Sequence, residues 1–322
     1  MTVTSKFNRL RTIITPIMLV VWLGAIACLI AFLSLQEVNT GEVDSIFKTP
    51  IYATVVLLGI IIGSVYHYLK ICQTIQIDTS GLKISSIFKA QFIPWKEIFE
   101  INLITKDHTT ISPTDATIIQ LKNGKQLAIV GIYYENMADI RRTLAQVMEH
   151  INAREPIAID RMEKYGTIGQ VNISKMTKYS GNHFLSFNGL VLYIWIALSF
   201  YLLMTTPLDS SISVLATLLV LLGISGLFYG FLGLQLHFFY VDKNYLVIRN
   251  HVWPWKKHVY GIDDIKQVIV ETPYKKSTSL RVITKDYDSM LYSAGSLRSS
   301  DWKNLLQKLK HLHVDIINET VF

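Results

Sequence analysis

Four long segments of this 322-residue chain contain no Asp, Glu, Lys or Arg, and they constrain the fold more than any other feature. They are residues 12–36, 49–69, 179–208 and 210–239. Each meets or exceeds the roughly 20 residues that a helix needs to cross about 30 Å of hydrocarbon. The sequence therefore predicts four transmembrane helices, at about 12–35, 50–70, 184–207 and 211–236. A cleavable signal peptide explains the first segment poorly, because the segment is too long and lacks a small-residue cleavage site near its end.

Basic residues beside these segments predict their orientation. Lys6, Arg9 and Arg11 precede the first segment, whereas the loop that follows it carries three acidic residues and one lysine. Lysines follow the second segment, and basic residues precede the third and follow the fourth. Because short cytoplasmic flanks are enriched in Lys and Arg, we expect a multi-pass protein of the cytoplasmic (inner) membrane. The N-terminus, the region between the helix pairs and the C-terminus are then all cytoplasmic.

The composition agrees with a membrane class. Hydrophobic residues make up 50% of the chain and charged residues only 17%, whereas soluble domains average about 25% charged residues. A net charge of +7 is explained by topology and by attraction to anionic lipid. We expect no nucleic-acid partner, because the basic residues do not form a stripe with stacking aromatics. Cys28 and Cys72 lack metal-type neighbours, and we expect both to be structural.

The two halves of the chain share residues at nearly constant offsets. Asp78 and Leu82 recur as Asp242 and Leu246, 164 positions later. At an offset of 167, Gly59 and Gly63 recur as Gly226 and Gly230, and residues 95–98 match residues 262–265. The three-residue difference indicates a small insertion near the membrane exit. The sequence thus predicts a tandem duplication of one unit, an internal repeat.

Each predicted unit is a two-helix hairpin followed by about five to seven strands and one amphipathic helix. In the first copy, Asn123-Gly124 is a strong hairpin signal, and apolar residues from Met137 to Ile151 recur at helical spacing. In the second copy, residues 242–244 form a turn, and Trp302 and Leu305 lie on one face of the last helix. We expect residues 1–70 to hold the N-terminal segment and hairpin one, 71–153 domain one, 154–180 a linker, 181–239 hairpin two, and 240–322 domain two.

A strand meander closed by one helix is the pleckstrin-homology plan. With residues 77–84, 93–101 and 123–125, the chain resembles bacterial multi-pass membrane proteins with PH-like domains, of the type that has a two-helix hairpin followed by one such domain. The second copy lacks the matching Trp and Gly. The resemblance implies membrane α plus α+β architecture, with a PH-like β-barrel or sandwich and a C-terminal helix after each hairpin. It implies no substrate, because the role of most members is undefined.

Two residue sets are candidates for contacts. Trp253, Trp255, Lys256 and Lys257 predict contact with the membrane interface, since Trp and Lys favour headgroup depth; the alternative is a solvated basic loop with one core Trp. The glycine pairs Gly59/Gly63 and Gly226/Gly230 permit close helix approach. They pack helix two on helix four within one chain, or they join two chains in a homo-oligomer.

The sequence offers no catalytic, cofactor-binding or metal-binding motif. Asp263 and Asp264 have no nearby base, and His311 and His313 point to different faces of a helix. We therefore expect a non-enzymatic protein that presents two cytoplasmic PH-like domains as membrane-proximal binding, scaffold or regulatory modules. Its expected partners are the lipid bilayer and a protein bound at these domains. The turn at residues 79–81 lacks charge, so we do not expect inositol-phosphate recognition.

The alternative function is a four-helix pore or transport component gated by the PH-like domains. Its lining would come from Thr15, Ser34, Thr54, Ser64, Ser199, Thr217 and Ser225. A membrane lipid enzyme is less favoured, because it needs a polar constellation at the inner interface. Proton-driven transport normally needs an ionisable group inside the membrane, and the four apolar segments carry none at mid-membrane.

Overall fold

The computed structural model describes residues 2–41, 43–107, 113–159, 171–205, 211–274 and 276–320. Within these residues the chain forms six α-helices and fifteen strands in four sheets, a mixed α+β fold. Each half has a pair of apolar helices, two sheets and a closing helix in the same order.

The first half begins with helices α1 (Thr15–Asn39) and α2 (Ile51–Ile71), and the second has α4 (Phe187–Thr205) and α5 (Ser211–Gly233). Among the described residues, three helical stretches are long and apolar enough to cross a membrane, namely 10–39, 51–71 and 187–205. Helix α5 also contains an apolar stretch, Thr217–Gly233.

The ends of α4 and α5 differ from the predicted bounds for local reasons. The Asn182 side chain accepts hydrogen bonds from Phe184 N and Leu185 N, at 3.0 and 3.3 Å, which delays the start of α4 from 184 to 187. After α5, Leu236 forms a β-bridge with Ala294, so that α5 ends at Gly233 and not at 236.

The two helix pairs contact each other through α1 and α5. Trp22 Nε1 donates a hydrogen bond to the Leu219 carbonyl at 3.2 Å. The indole ring occupies the space that a side chain at Gly223 would need. Within the second pair, Trp195 donates to Ser225 Oγ at 3.1 Å. At these two helix contacts, a tryptophan ring thus lies against a small residue, Gly223 or Ser225.

Replacing Gly223 with leucine is expected to destabilise the helix bundle by about 1–3 kcal/mol, because the new side chain overlaps the Trp22 ring. Gly226→Leu is the matched control, since a Cβ at Gly226 has no described atom within 4 Å. Thermal unfolding of the purified protein in detergent, followed by helical circular dichroism, measures both. Equal midpoints for the two variants would contradict the α1–α5 contact.

The first half continues as two antiparallel sheets and a helix. One sheet has the order β1 (Val3–Thr4), β2 (Thr74–Ile77), β3 (Gly81–Ser85) and β4 (Ala90–Pro94), and the other has β5 (Ile98–Asp107), β6 (Thr114–Leu121) and β7 (Gln126–Val130). The helix α3 (Met137–Ala153) packs its apolar face on them. Gly124, at φ +80°, turns β6 into β7, and this confirms the hairpin predicted at Asn123-Gly124.

The second half has the corresponding elements. Its sheets have the orders β11 (Lys257–Gly261), β10 (Tyr245–Asn250), β9 (His237–Val241), β8 (Thr177–Tyr179), and β14 (Ser289–Ser293), β13 (Ser279–Thr284), β12 (Ile265–Glu271), β15 (Ile316–Asn318). Strand β15 pairs in parallel with β12, and the other pairings are antiparallel. The core lies between these sheets and α6 (Ser299–His311), around Trp302.

In both halves, a short strand before the helix pair joins the first strand after it. Strand β1 pairs with β2, Val3 opposite Ile77, and β8 pairs with β9, Thr177 opposite Val241. The predicted linker 154–180 therefore contains a strand; its residues 160–170 lie outside the described residues. The predicted start of domain two at 240 falls inside β9, which begins at His237. In these two sheets, the outer edges of β2 and β9 are thus paired with a short strand of the same chain.

Candidate functional site

Charged side chains join the two halves. Lys106 Nζ, near the end of β5, lies 2.5 Å from Glu271 Oε2 at the end of β12. The same ammonium lies 2.7 Å from Glu319 Oε2, directly after β15. Because the lysine belongs to the first half and both carboxylates to the second, these ion pairs link the two sheet-forming regions.

A chain of alternating charges extends this contact inward. Arg281 Nη2 is 2.6 Å from Glu271 Oε1, and its Nη1 is 3.5 Å from Asp115 Oδ1. Arg141 Nη2, from α3, is 2.8 Å from Asp115 Oδ2, and its Nη1 donates to the Tyr287 carbonyl at 3.3 Å. We call these six residues, Lys106, Asp115, Arg141, Glu271, Arg281 and Glu319, the junction network. Its three cations balance its three carboxylates.

The ionisation of the network indicates a structural role. Burial opposes the charged form of Glu271, but the charges of Arg281 and Lys106 outweigh it and lower the pKa of this carboxyl. Burial likewise opposes the charged form of Lys106, yet its hydrogen bonds to Glu271 and Glu319 raise the pKa of the ammonium. Both groups stay charged across the neutral range, so neither is poised for proton transfer.

A cavity of about 810 Å³ lies beside the network. We call it the junction groove; it is lined by Lys106 and Pro113 of the first half and by residues of the second half that include Glu271, Tyr274, Trp302 and Glu319. Its lining includes residues of both charge signs and two aromatic residues, of which Tyr274 is exposed and Trp302 is buried. Strand β15 ends where Glu319 and Thr320 line the groove, and in the described sheet order β15 has a neighbour on one side only.

The structure brings together three of the four residues predicted to contact a membrane, Trp253, Trp255 and Lys256. The Trp253 ring packs 4.9 Å from Tyr229 of α5 and 5.7 Å from Trp255, measured between centroids. Lys256 Nζ lies 4.5 Å from the centre of the Trp253 ring, and Lys257 begins β11. Trp255 is 69% exposed. The side chains of Trp253, Trp255 and Lys256 thus cluster beside the last turns of α5, in a loop (residues 251–256, the Trp loop), and Lys257 follows that loop in the chain.

Buried Asn250 holds the Trp loop in place. Its Nδ2 donates to the Gly233 carbonyl at 2.8 Å, and its Oδ1 accepts from Val252 N and Trp253 N. The offset between the halves changes here, from 164 at Asp78 and Asp242 to 167 at Pro94 and Gly261. The three additional residues therefore lie within the β10–β11 hairpin.

The structure does not bring the four predicted packing glycines together. A Cβ built on Gly59, Gly63, Gly226 or Gly230 meets no described atom within 4 Å. The first strands after α2 and α5 match at an offset of 164 residues, whereas the glycine pairs match at 167. Measured from the strand that follows each helix, the two glycine pairs therefore lie about one helical turn apart along the helix axis. Contact of these glycines between two chains remains a prediction.

Several hydroxyls proposed to line a pore are engaged within the helices. Thr54 donates to the Ala27 carbonyl at 3.3 Å, and Thr15 to the Leu10 carbonyl at 2.8 Å. Ser225 accepts from Trp195 and lies 3.4 Å from Ser199 Oγ. These hydroxyls stabilise single helices or tie neighbouring helices together.

Histidine and aromatic side chains form a cluster next to the start of α4 and the end of α5. His251 stacks on Phe238 and on His183, each at 4.3 Å between ring centroids. His237 Nδ1 lies 2.9 Å from the Ser293 carbonyl, so this nitrogen carries the proton. Burial lowers the pKa of His237 to about 4, and burial together with the nearby His183 and Lys178 lowers that of His251 to about 4.

This cluster makes stability depend on pH. Both histidines protonate near pH 6.5 in the unfolded chain and near pH 4 in the folded one. The unfolded state therefore binds more protons between these values, and stability falls as the pH falls from about 6.5 to 4. His251→Phe keeps the ring stack and should reduce this loss in urea titrations at pH 7.5 and 5. The same replacement at exposed His311 controls for the loss of a histidine, and an unchanged loss in His251→Phe would contradict this origin.

The sequence also singled out an acid pair and a histidine pair. Asp263 and Asp264 lie in the single 3₁₀ turn between β11 and β12, and His311 and His313 lie at and beyond the end of α6. Within the described part of the chain, no group of three or more His, Cys, Asp or Glu is arranged to hold a metal ion. The chain matches no model of a known protein family and no curated protein sequence. The junction groove and the Trp loop are therefore the candidate functional sites on geometry alone.

Proposed function

We propose that the chain is a non-enzymatic, multi-pass protein of a bacterial cytoplasmic membrane, with α5 as the fourth membrane helix. Basic residues flank the same ends of both helix pairs, which favours cytoplasmic sheet-forming regions. The same succession of elements in both halves supports duplication of one unit with a PH-like domain. The strand meander and closing helix of each half support the PH-like assignment.

The two domains then act as one membrane-proximal binding module. The observation that carries this function is the junction groove. Residues of both halves line it, and it lies at the end of strand β15, where Glu319 and Thr320 are part of its wall. An extended segment of a partner protein can add to a free strand edge, where its backbone gives affinity and side-chain pockets give specificity. Tyr274 is more than half exposed, and the Glu319 side chain is 43% exposed. This lining favours a peptide segment with an apolar side chain, placed against Tyr274, next to a polar one.

The Trp loop serves as a membrane contact in the same proposal. Trp253 and Trp255 lie beside Tyr229, four residues before α5 ends at Gly233. Tyrosine and tryptophan rings at this depth suit the headgroup region, and Lys256 and Lys257 suit anionic lipid. The loop would thereby fix the angle of the second domain on the bilayer.

Photocrosslinking in living cells tests the binding function. The photoreactive residue benzoylphenylalanine replaces Tyr274 in the groove or, as the control, Lys243 in the exposed β9–β10 turn. We expect a discrete adduct from position 274, which mass spectrometry maps to one extended segment of a partner protein. Adducts that are equal at both positions, or no adduct at position 274, would contradict a binding role for the groove.

A further inference from the structure

The turn between β3 and β4 exposes two large apolar side chains. Ile87 is 72% and Phe88 58% exposed. The turn is well defined, because Ser86 N donates to the Lys89 carbonyl at 2.7 Å and Lys89 N donates to Ser86 Oγ at 3.2 Å. Large apolar side chains exposed side by side at a hairpin tip are candidates for an interaction surface.

The strand register places this turn beside the end of α2. Strand β2 begins at Thr74, directly opposite Ser85. Residues 86–89 therefore extend beyond the start of β2, back along the helix. The Phe88 ring lies 5.9 Å from that of Tyr66, five residues before α2 ends at Ile71. Five residues correspond to about 7–8 Å along the helix axis.

The second half repeats this geometry with different residues. Trp253, at the tip of the β10–β11 hairpin, contacts Tyr229, and Tyr66 and Tyr229 are 163 positions apart. The two tips share aromatic character and a following lysine, Lys89 or Lys256. Two hairpins thus reach back to the same depth on two membrane helices.

We propose that Ile87 and Phe88 insert into the boundary between headgroups and acyl chains of the lipid bilayer. The contact between Phe88 and Tyr66 favours lipid as the partner of the hairpin tip. The tip lies against α2, and the exposed side chains of α2 face lipid in the proposed membrane placement. Lys83 and Lys89, both exposed, lie where they can meet anionic headgroups. The first domain is thereby held by its hairpin tip as well as by α2. This inference rests on the membrane placement given under the proposed function.

Fluorescence quenching in lipid nanodiscs that hold one full-length chain tests the insertion. In a Cys28→Ser, Cys72→Ser background, an environment-sensitive NBD dye is attached to Ile87→Cys. Ile62→Cys, on the exposed side of α2, is the lipid control. Asn123→Cys is the water control, because the 122–125 turn adjoins Glu97, at the opposite end of β4. Spin-labelled lipid and aqueous iodide serve as quenchers.

At Ile87→Cys we expect loss of fluorescence to spin-labelled lipid close to that at Ile62→Cys, together with protection from iodide. Iodide quenching equal to that at Asn123→Cys, with Ile62→Cys quenched by lipid, would overturn the inference and leave the membrane placement intact. Absence of lipid quenching at Ile62→Cys would contradict the membrane placement itself, and the inference with it.

Discussion

Replacing Arg281 with methionine is expected to lower the free energy of unfolding by about 1.5–3 kcal/mol, because buried Glu271 loses its hydrogen bonds from the guanidinium and keeps only Lys106 as a cationic partner. Glu271 is only 3% exposed and lies 2.6 Å from the guanidinium. Asp115 of the first half, 3.5 Å away, keeps Arg141 as a partner. The loss is therefore concentrated at Glu271, where the two halves meet.

Pulse proteolysis of the full-length protein in nanodiscs over a series of urea concentrations measures this effect. Lys285→Met is the matched control, because Lys285 is an exposed cation four residues further along the chain. Adding Glu271→Gln to Arg281→Met removes the buried carboxylate that has lost the guanidinium and should recover part of the lost stability. If Arg281→Met and Lys285→Met unfold at the same urea concentration, the junction network does not stabilise the fold.

Trp302→Ala is expected to destabilise the second sheet-forming region by about 3–5 kcal/mol, the usual cost of truncating a buried aromatic side chain. Trp302 is 2% exposed, and its ring lies 5.7 Å from that of Phe239 in β9. It connects α6 to the first strand after α5 and also lines the junction groove. Its removal thus creates a cavity where core and groove adjoin.

The chain offers its own control for this variant. Trp255 is 69% exposed, so Trp255→Ala should change the free energy of unfolding by no more than about 0.5 kcal/mol. Trp302→Phe, which retains most of the ring, should lie between the alanine variant and the native protein. The same urea series with pulse proteolysis measures all three. Similar losses for Trp302→Ala and Trp255→Ala would show that the α6 packing has been misassigned.

The helix pairs and several turns could be predicted from the sequence because their signals are local. Absence of charge over about 20 residues identifies the helices, and the Asn123-Gly124 pair identifies a turn. Strands β1 and β8 could not be predicted in this way. With two and three residues, they are too short to show an alternating pattern of apolar and polar residues. Their pairing partners also lie beyond an entire helix pair in the sequence.

The junction network was missed because its contacts are long-range. Lys106 and Glu271 lie on different halves, and no spacing rule relates them. A signal was nevertheless present at Arg281, a charge at the centre of a strand that is otherwise apolar or small and is buried throughout. Arg141 gives no such signal, because charged residues are ordinary in an amphipathic helix, yet it is 1% exposed. A charged residue inside a buried element requires a partner, and that requirement could have pointed to the junction.

Both sheet-forming regions are expected to lie on one side of a membrane that the chain crosses four times. Labelling with a membrane-impermeant maleimide in bacterial spheroplasts tests it, with single cysteines at Asn123, Lys243 and Thr40 in a Cys28→Ser, Cys72→Ser background. We predict that Thr40→Cys is labelled in intact spheroplasts, and that Asn123→Cys and Lys243→Cys are labelled only after permeabilisation. Labelling of either Asn123→Cys or Lys243→Cys in intact spheroplasts would contradict this topology.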